Sequence, residues 1–205
     1  MVLTRASLDR EIDALAAIEP AFGEVVAKHG RPDPRVRPTG HVTLLRTIVG
    51  QQVSVAAADS MWAKLIGAYG EDPDLVAIIA ADDDELRAAG LSRQKAGYAR
   101  SLSQLVLDGE VVFDGLPDDD EAAIAELTRI KGIGRWTAEI YLLFSEGRPD
   151  AFPAGDLAVQ VELARILDRE ERPPEKLVRQ WAEPWSPHRG AAAILAWHSY
   201  MAPPL

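Results

Sequence analysis

The sequence predicts an all-α protein on three observations. Apolar residues recur at helical spacing along nearly the whole chain. The one strand-like run, Val111-Val112-Phe113, is too short to make a sheet. Strand-like and helix-like segments do not alternate, so nothing points to a parallel sheet.

The elements follow in chain order. Leu8, Ile12 and Leu15 share a helical face behind Ser7, which reads as its N-cap. Pro20 suits a first helical turn, Phe22, Val25 and Val26 share a face, and Gly30 closes the segment. The proline-rich stretch 31–39 reads as a connector. Helices are expected over 42–51 and 54–69, the second turning Met61, Trp62, Leu65 and Ile66 inward. Two identical acidic runs, Asp82-Asp83-Asp84-Glu85 and Asp118-Asp119-Asp120-Glu121, read as helix starts, because carboxylates accept the orphan N–H groups there and favour the positive dipole end. Asp118 and Glu121 have the spacing of a capping box. Further helices are expected over 92–107 (stopped by Gly109), 118–130, 135–144, 157–167, 175–181 and 189–200, with 148–155 a loop and Pro203-Pro204 at the end of the chain.

Composition bounds the function classes. The 205 residues are 47% hydrophobic and 26% charged, an ordinary globular balance with room for one domain or two packed lobes. The absence of cysteine excludes disulfides, thiolate zinc sites and cysteine-ligated iron–sulfur clusters. His29, His41, His188 and His198 are scattered, with no pair on one helical face to hold a metal. The segment 1–11 carries Arg5, Asp9, Arg10 and Glu11 and has no apolar signal core, and no apolar stretch is long enough to span a bilayer, so the expected location is the cytoplasm. The net charge is −10, and the two acidic runs account for most of the imbalance. Arg93, Lys95 and Arg100 fall in a stretch without acids, as do Arg129, Lys131 and Arg135. Each triplet reads as a solvated helix face, and together they leave a local polyanion site open.

The stretch from Leu127 to Ala138 carries the chemical signal. Gly132-Ile133-Gly134 joins two helices: the glycines permit positive φ and close backbone approach, and Ile133 pins the turn to the core. The N–H groups of Gly134, Arg135 and Trp136 then form a helix N-terminus suited to phosphate, which they bind without reading sequence. For a bare Gly-x-Gly, an ordinary helix–helix turn with glycine at a C-cap is the favoured account. Asp156, just ahead of the Leu157 helix, reads as an N-cap, and core packing is the plain alternative for each tryptophan.

Four motifs in register resemble the helix-hairpin-helix DNA glycosylase superfamily, and more closely its 3-methyladenine DNA glycosylase II branch. They are Leu127-x-x-Ile-x-Gly-Ile-Gly-x-Trp136-Thr-Ala, the segment Gly50-Gln51-Gln52-Val53-Ser54, Gly90-Leu91-Ser92-Arg93-Gln94-Lys95-Ala96, and Trp185-Ser-Pro-His-Arg-Gly-Ala191. The matches cover residues 42–200. The resemblance implies a two-lobed fold: a central lobe over 40–148 with the hairpin at about 118–144, and a second lobe of 1–39 plus 149–205, without the β-rich N-terminal domain of some relatives. Damaged duplex DNA and a flipped base would sit between the lobes.

The resemblance further implies that Asp156, in Phe152-Pro-Ala-Gly-Asp156-Leu, is catalytic, while Asp150 lies outside the motif register. Cleavage of an N-glycosidic bond develops positive charge on the sugar, which a carboxylate stabilises while orienting water. Trp136 and Trp197 would line the base pocket with Ile140 and Leu157, two positions where relatives can carry tyrosine. Trp62, Trp181 and Trp185 are left to the core. Gln52 maps to the residue that fills the gap in the duplex, where relatives can carry leucine. Lys131, Gly132, Gly134, Arg135, Thr137, Arg93 and Lys95 are the implied DNA contacts, and Lys131 replaces a proline common in the family. The carbonyls of Thr128, Ile130 and Ile133 map to a Na+ or K+ site. Strand-cleaving relatives place a lysine where this chain has Trp136, so a monofunctional, monomeric hydrolase without AP lyase activity or an iron–sulfur cluster is expected, associated with the nucleoid through DNA. Other readings are a glycosylase for deaminated or mismatched bases, a non-catalytic DNA-binding module and a helical protein whose glycine turn is incidental.

Overall fold

The computed structural model describes residues 3–202; Met1, Val2 and the closing Pro203-Pro204-Leu205 lie outside the described residues. Among those residues the chain forms twelve α-helices, two 3-10 turns and no strand. The helices divide between two compact units, one comprising Met1–Arg37 with Arg135–Leu205 and the other Pro38–Gly134.

The first unit holds α1 (Arg5–Ile18), α2 (Pro20–His29), α9 (Arg135–Phe144), α10 (Leu157–Ile166), α11 (Glu175–Ala182) and α12 (Arg189–Met201). Here α12 packs on α1, α2 and α10. Its run Gly190-Ala191-Ala192-Ala193 is wholly buried, because small side chains let neighbouring backbone come close. Gly190 is the extreme case: its N–H donates to the Pro149 carbonyl, and a Cβ there would lie 2.6 Å from that oxygen and 2.7 Å from Leu143 Cδ1. Trp185 is buried edge-on against Phe22 and Phe152, as expected of a core residue. Trp62 and Trp181 are only half-buried, each with an arginine over its ring, so their indoles sit at the margin of the core.

The second unit holds α3 (His41–Gly50), α4 (Val55–Tyr69), α5 (Leu75–Ala80), α6 (Asp83–Ala88), α7 (Arg93–Leu107) and α8 (Asp120–Leu127). Here α3 packs on α4 and α7, while α5 and α6 pack on α7. Leu44, Leu45, Ile48, Leu65, Ile78, Leu86 and Leu102 form the buried centre.

The structure corrects several local expectations. The α1 cap is Thr4, and Ser7 is its capping-box partner three residues on. The first acidic run caps α6 as expected, through a box of Asp82 and Glu85. In the second run Asp119, not Asp118, is the cap, accepting from the Ala122 N–H at 2.8 Å. Six-residue α5, too short for periodicity to show, was not anticipated. Of the four α4 residues expected to face inward, only Leu65 is buried. The strand-like run ends in a 3-10 turn at Phe113–Gly115.

The second unit boundary falls at Gly134, ahead of the expected Arg148. The reason is burial: every residue of α9 from Thr137 to Phe144 is buried, and the Phe144 carbonyl accepts from the Arg37 N–H. Gly190→Ala should therefore destabilise the protein by about 1–3 kcal/mol through overpacking. Thermal unfolding measures the loss, and the isosteric space around Gly134, where a Cβ meets nothing within 4 Å, makes Gly134→Ala the neutral control.

Candidate active site

The segment Phe152-Pro153-Ala154-Gly155 ends at a single carboxylate. Residues 151–154 are buried, and the Ala154 carbonyl accepts from Gln160 Nε2 at 2.9 Å, which fixes the segment against α10. Asp156 caps α10 with extended backbone, φ −71° and ψ 128°. Its Oδ1 accepts from the N–H groups of Ala158 (2.9 Å) and Val159 (3.1 Å), and from Trp197 Nε1 of α12 at 3.0 Å. Its Oδ2 accepts from Trp136 Nε1 of α9 at 3.0 Å. Four donors on one carboxylate suit its ionised, acceptor-only form. Oδ2 accepts one hydrogen bond against three on Oδ1, so it keeps capacity for another.

The surroundings of Asp156 are apolar and partly open. Trp136 is 45% exposed and Leu157, next to Asp156 in the chain, is 58% exposed. Ile140, by contrast, is buried. Trp197 packs on Phe144 with centroids 5.6 Å apart, and its other surroundings form a cleft of about 340 Å³ with Arg31, Arg35, Ile194 and His198. Of the four residues expected to line a base pocket, Trp197 alone borders this cleft, while Trp136 and Leu157 present exposed surface beside the carboxylate.

Asp150 is a different kind of acid. Burial pushes its carboxyl up, but hydrogen bonds from Arg189 and Ser186 outweigh that and hold it below the ordinary range. Arg189 grips both oxygens, through Nε at 2.8 Å and Nη2 at 2.7 Å. A carboxylate so fully engaged ties the loop to α12 and is not available for chemistry.

The hairpin turn, in the second unit, follows the glycine reading at one of its two positions. Gly132 has φ +86°, and a Cβ there would lie 2.3 Å from the Tyr98 ring, so only glycine fits. Gly134 has neither constraint, which leaves open space at its Cα. Ile133 is buried, as a pinning residue should be. Gln51 Nε2 donates to the Gly132 carbonyl at 2.8 Å, tying the Gln51-Gln52 turn to the hairpin. Gln52 itself is exposed and left-handed, with φ +56°, a conformation uncommon for a side-chain-bearing residue.

The basic residues fare differently in space than in sequence. Lys95 is buried, its ammonium on the Val49 carbonyl at 2.7 Å near the C-terminus of α3, and desolvation lowers its pKa. This corrects the expectation of a surface DNA contact: the long stem reaches back to a helix end that attracts positive charge. Thr137 is likewise buried. Arg100 pairs with Asp83 and Arg129 with Glu110. Arg135 pairs with Glu139. Lys131 and Arg93 are exposed. The sequence reading passed over Glu139 and its second partner, Arg179, although a glutamate inside the apolar run Thr137–Phe144 was a legible signal. Among the described residues no cluster of His, Asp or Glu could hold a metal ion, and no helix is long and apolar enough to cross a membrane.

Residues 45–187 match the family described as HhH-GPD superfamily base excision DNA repair protein. A putative DNA-3-methyladenine glycosylase of Bacillus subtilis is 28% identical over 76% of this chain, and the chain spans only 57% of that protein's length. The crystal structure of a DNA-3-methyladenine glycosidase from Bacillus halodurans superposes with a TM-score of 0.86 at 27% identity, covering 94% of this chain and 89% of that one. The Schizosaccharomyces pombe 3-methyladenine DNA glycosylase, solved in complex with abasic DNA, superposes with a TM-score of 0.75 at 27% identity, covering 93% and 95%.

The carboxylate–indole arrangement makes a direct prediction. Asp156→Asn should move the indole N–H resonances of Trp136 and Trp197 and leave those of Trp62, Trp181 and Trp185 in place. Asp156→Ala should in addition cost about 1 kcal/mol by removing the α10 cap, read from thermal unfolding of the two variants side by side.

Proposed function

The chain belongs to the HhH-GPD superfamily of base excision DNA repair proteins, and within it we propose a DNA glycosylase that hydrolyses the N-glycosidic bond of alkylated bases of the 3-methyladenine type in duplex DNA, leaving an abasic site. The observation that carries this reading is the Asp156 carboxylate, held by two indole N–H groups while one of those indoles stays exposed. The names of the relatives support the substrate class.

The mechanism follows from the charge that develops. As the glycosidic bond breaks, its electron pair leaves with the base and the deoxyribose gains positive charge. The Asp156 carboxylate stabilises that charge, and its Oδ2 orients a water that adds to the sugar and passes a proton to that carboxylate, from which it is lost to solvent. An alkylated purine is already cationic, so it departs neutral without a general acid. The exposed Trp136 face stacks on such an electron-poor ring, and the Trp197 side adds a second apolar wall.

Chemistry beyond hydrolysis lacks its nucleophile. A Schiff base needs a lysine at the carboxylate, and Trp136 occupies that position. The enzyme is thus proposed to be a monofunctional monomer without AP lyase activity. The hairpin serves the duplex: Lys131, Gly132, Gly134 and Arg135 grip phosphate, Arg93 adds charge, and Gln52 fills the gap left by the flipped base. The donor set of the Thr128, Ile130 and Ile133 carbonyls suits a Na+ or K+, since Ile130 O bonds the Ile133 N–H at 3.0 Å and keeps a second lone pair. Such a cation would add positive charge toward a phosphate. Action on DNA would place the protein with the nucleoid.

The test is release of free bases from dimethyl-sulfate-treated duplex DNA. The wild type should release 3-methyladenine, and Asp156→Asn should lose about 100-fold or more in rate with unchanged affinity for abasic duplex. Borohydride should trap no covalent adduct. Release of deaminated bases instead would shift the substrate class, and tight binding without any release would reduce the protein to a binding module. A second measurement concerns salt: Lys131→Ala should lower the slope of log affinity against log salt by about 0.9, whereas Lys95→Met should leave the slope unchanged and lower the thermal midpoint.

A further inference from the structure

One buried carboxylate, with two partly exposed arginines on it, has no part in the chemistry described so far. Glu139 is 1% exposed, in the middle of the apolar face of α9. Its Oε1 accepts from Arg135 Nε at 2.9 Å and from Arg179 Nη2 at 2.8 Å. Its Oε2 is buried without a hydrogen-bond partner. Burial pushes the carboxyl up, and the two arginines oppose that shift.

Stability alone is a poor reason to keep such a group. Taking ions out of water costs several kcal/mol each, and apolar residues of similar volume often serve a core as well or better. An orphaned carboxylate oxygen deepens that cost. What the cluster does achieve is visible in where Arg179 reaches. Its Nε and Nη2 hold Glu175 Oε1 at 3.0 and 2.6 Å, and its Nη1 lies 3.5 Å from the Phe152 carbonyl. The Glu175 carboxylate in turn lies against Gly155, where a Cβ would be 3.1 Å from Oε2. Arg179 and Glu175 therefore brace both ends of the segment 152–155 that delivers Asp156.

Glu139 joins that brace to the helix that delivers Trp136. The two residues are three apart on α9, so they lie on neighbouring positions of one face. We propose that Glu139 is a positioning residue: through Arg179 it sets the Trp136 indole N–H against the Asp156 carboxylate. Trp136 and Asp156 stand 20 residues apart, on a helix and on the loop that follows it, and this ion pair fixes their separation at the level of ångströms, the tolerance that charge stabilisation requires. The catalytic consequence rests on the glycosylase reading; the geometric one does not.

The test separates positioning from packing. The double variant Glu139→Leu/Arg179→Met removes the buried carboxylate together with its partly exposed arginine, and the two partners left over, Arg135 and Glu175, are both open to water. Its thermal midpoint should stay near that of the wild type. Its Trp136 indole N–H signal should move toward the place it takes in Asp156→Asn, and its single-turnover rate of base release should fall about 10- to 100-fold with unchanged affinity for abasic duplex. Glu139→Asp, which keeps the charge but withdraws it by one methylene, should show a smaller displacement of the same signal and a smaller rate loss. If the double variant does not fold, Glu139→Asp alone decides. An unmoved Trp136 signal in the folded variants would overturn the proposal and leave Glu139 a packing residue. If the wild type releases no base, the glycosylase reading fails while the indole signal still judges the positioning claim.

Discussion

The first unit is organised around one carboxylate with two obligations. Asp156 must satisfy the first N–H groups of α10, and it must also receive two indoles from α9 and α12. A cap residue alone needs only its own helix. Two indole donors require that α9 and α12 both come within hydrogen-bonding reach, which is why the small-residue run of α12 and the burial of α9 from Thr137 to Phe144 matter beyond packing. The cap also fixes a difference within the carboxylate: Oδ1 is engaged by three donors and Oδ2 by one, so under the proposed function the chemistry falls to Oδ2.

A net charge of −10 looks at odds with a polyanionic partner, and the structure makes the tension sharper. Half of the two basic triplets that stand without acids in sequence meet acids in space. Arg100 finds Asp83, Arg129 finds Glu110, Arg135 finds Glu139, and Lys95 is withdrawn to the Val49 carbonyl. Lys131 and Arg93 remain exposed. Under the proposed function, affinity then rests on a small number of phosphate contacts and on backbone N–H groups at the hairpin, so the salt dependence is shallow for a DNA-binding protein. Weak general attraction is compatible with an enzyme that must search long stretches of undamaged duplex.

Much of this was legible in the sequence because local physics decides it. Asp156 as a cap, Gly30 as a helix stop, Gly132 as the turn residue and α9 from Arg135 to Phe144 all follow from caps, glycines and apolar spacing. Cap positions slipped where several competent residues adjoin: Thr4 and Ser7 can both cap, as can Asp118 and Asp119, and tertiary fit chooses between them. What sequence could not supply was pairing at a distance. Nothing local says that Lys95 meets the Val49 carbonyl 46 residues away, or that Glu139 meets Arg179 forty residues on. Both reversals have one cause: a charged side chain on a buried face finds a partner, and that partner is set by the fold.

The two indoles on Asp156 bear on which bases such a site favours. Hydrogen bonds to a charged group contribute about 1.5–3 kcal/mol each, so the indole N–H groups draw off part of the charge that would otherwise face the sugar. They fix the direction of the carboxylate and blunt the full strength of its charge at the sugar. A neutral, unmodified purine leaves reluctantly and would need that full strength together with a general acid. Among the described residues no second carboxylate hydrogen-bonds to Asp156 or to either indole, and the nearby Asp150 is held by Arg189. A cationic alkylated base needs neither, since its glycosidic bond is already weakened. In the proposed enzyme, the arrangement that makes Asp156 rigid also confines it to labile leaving groups, so part of the selectivity for damage resides in the carboxylate's own hydrogen bonds and not only in the shape of a pocket.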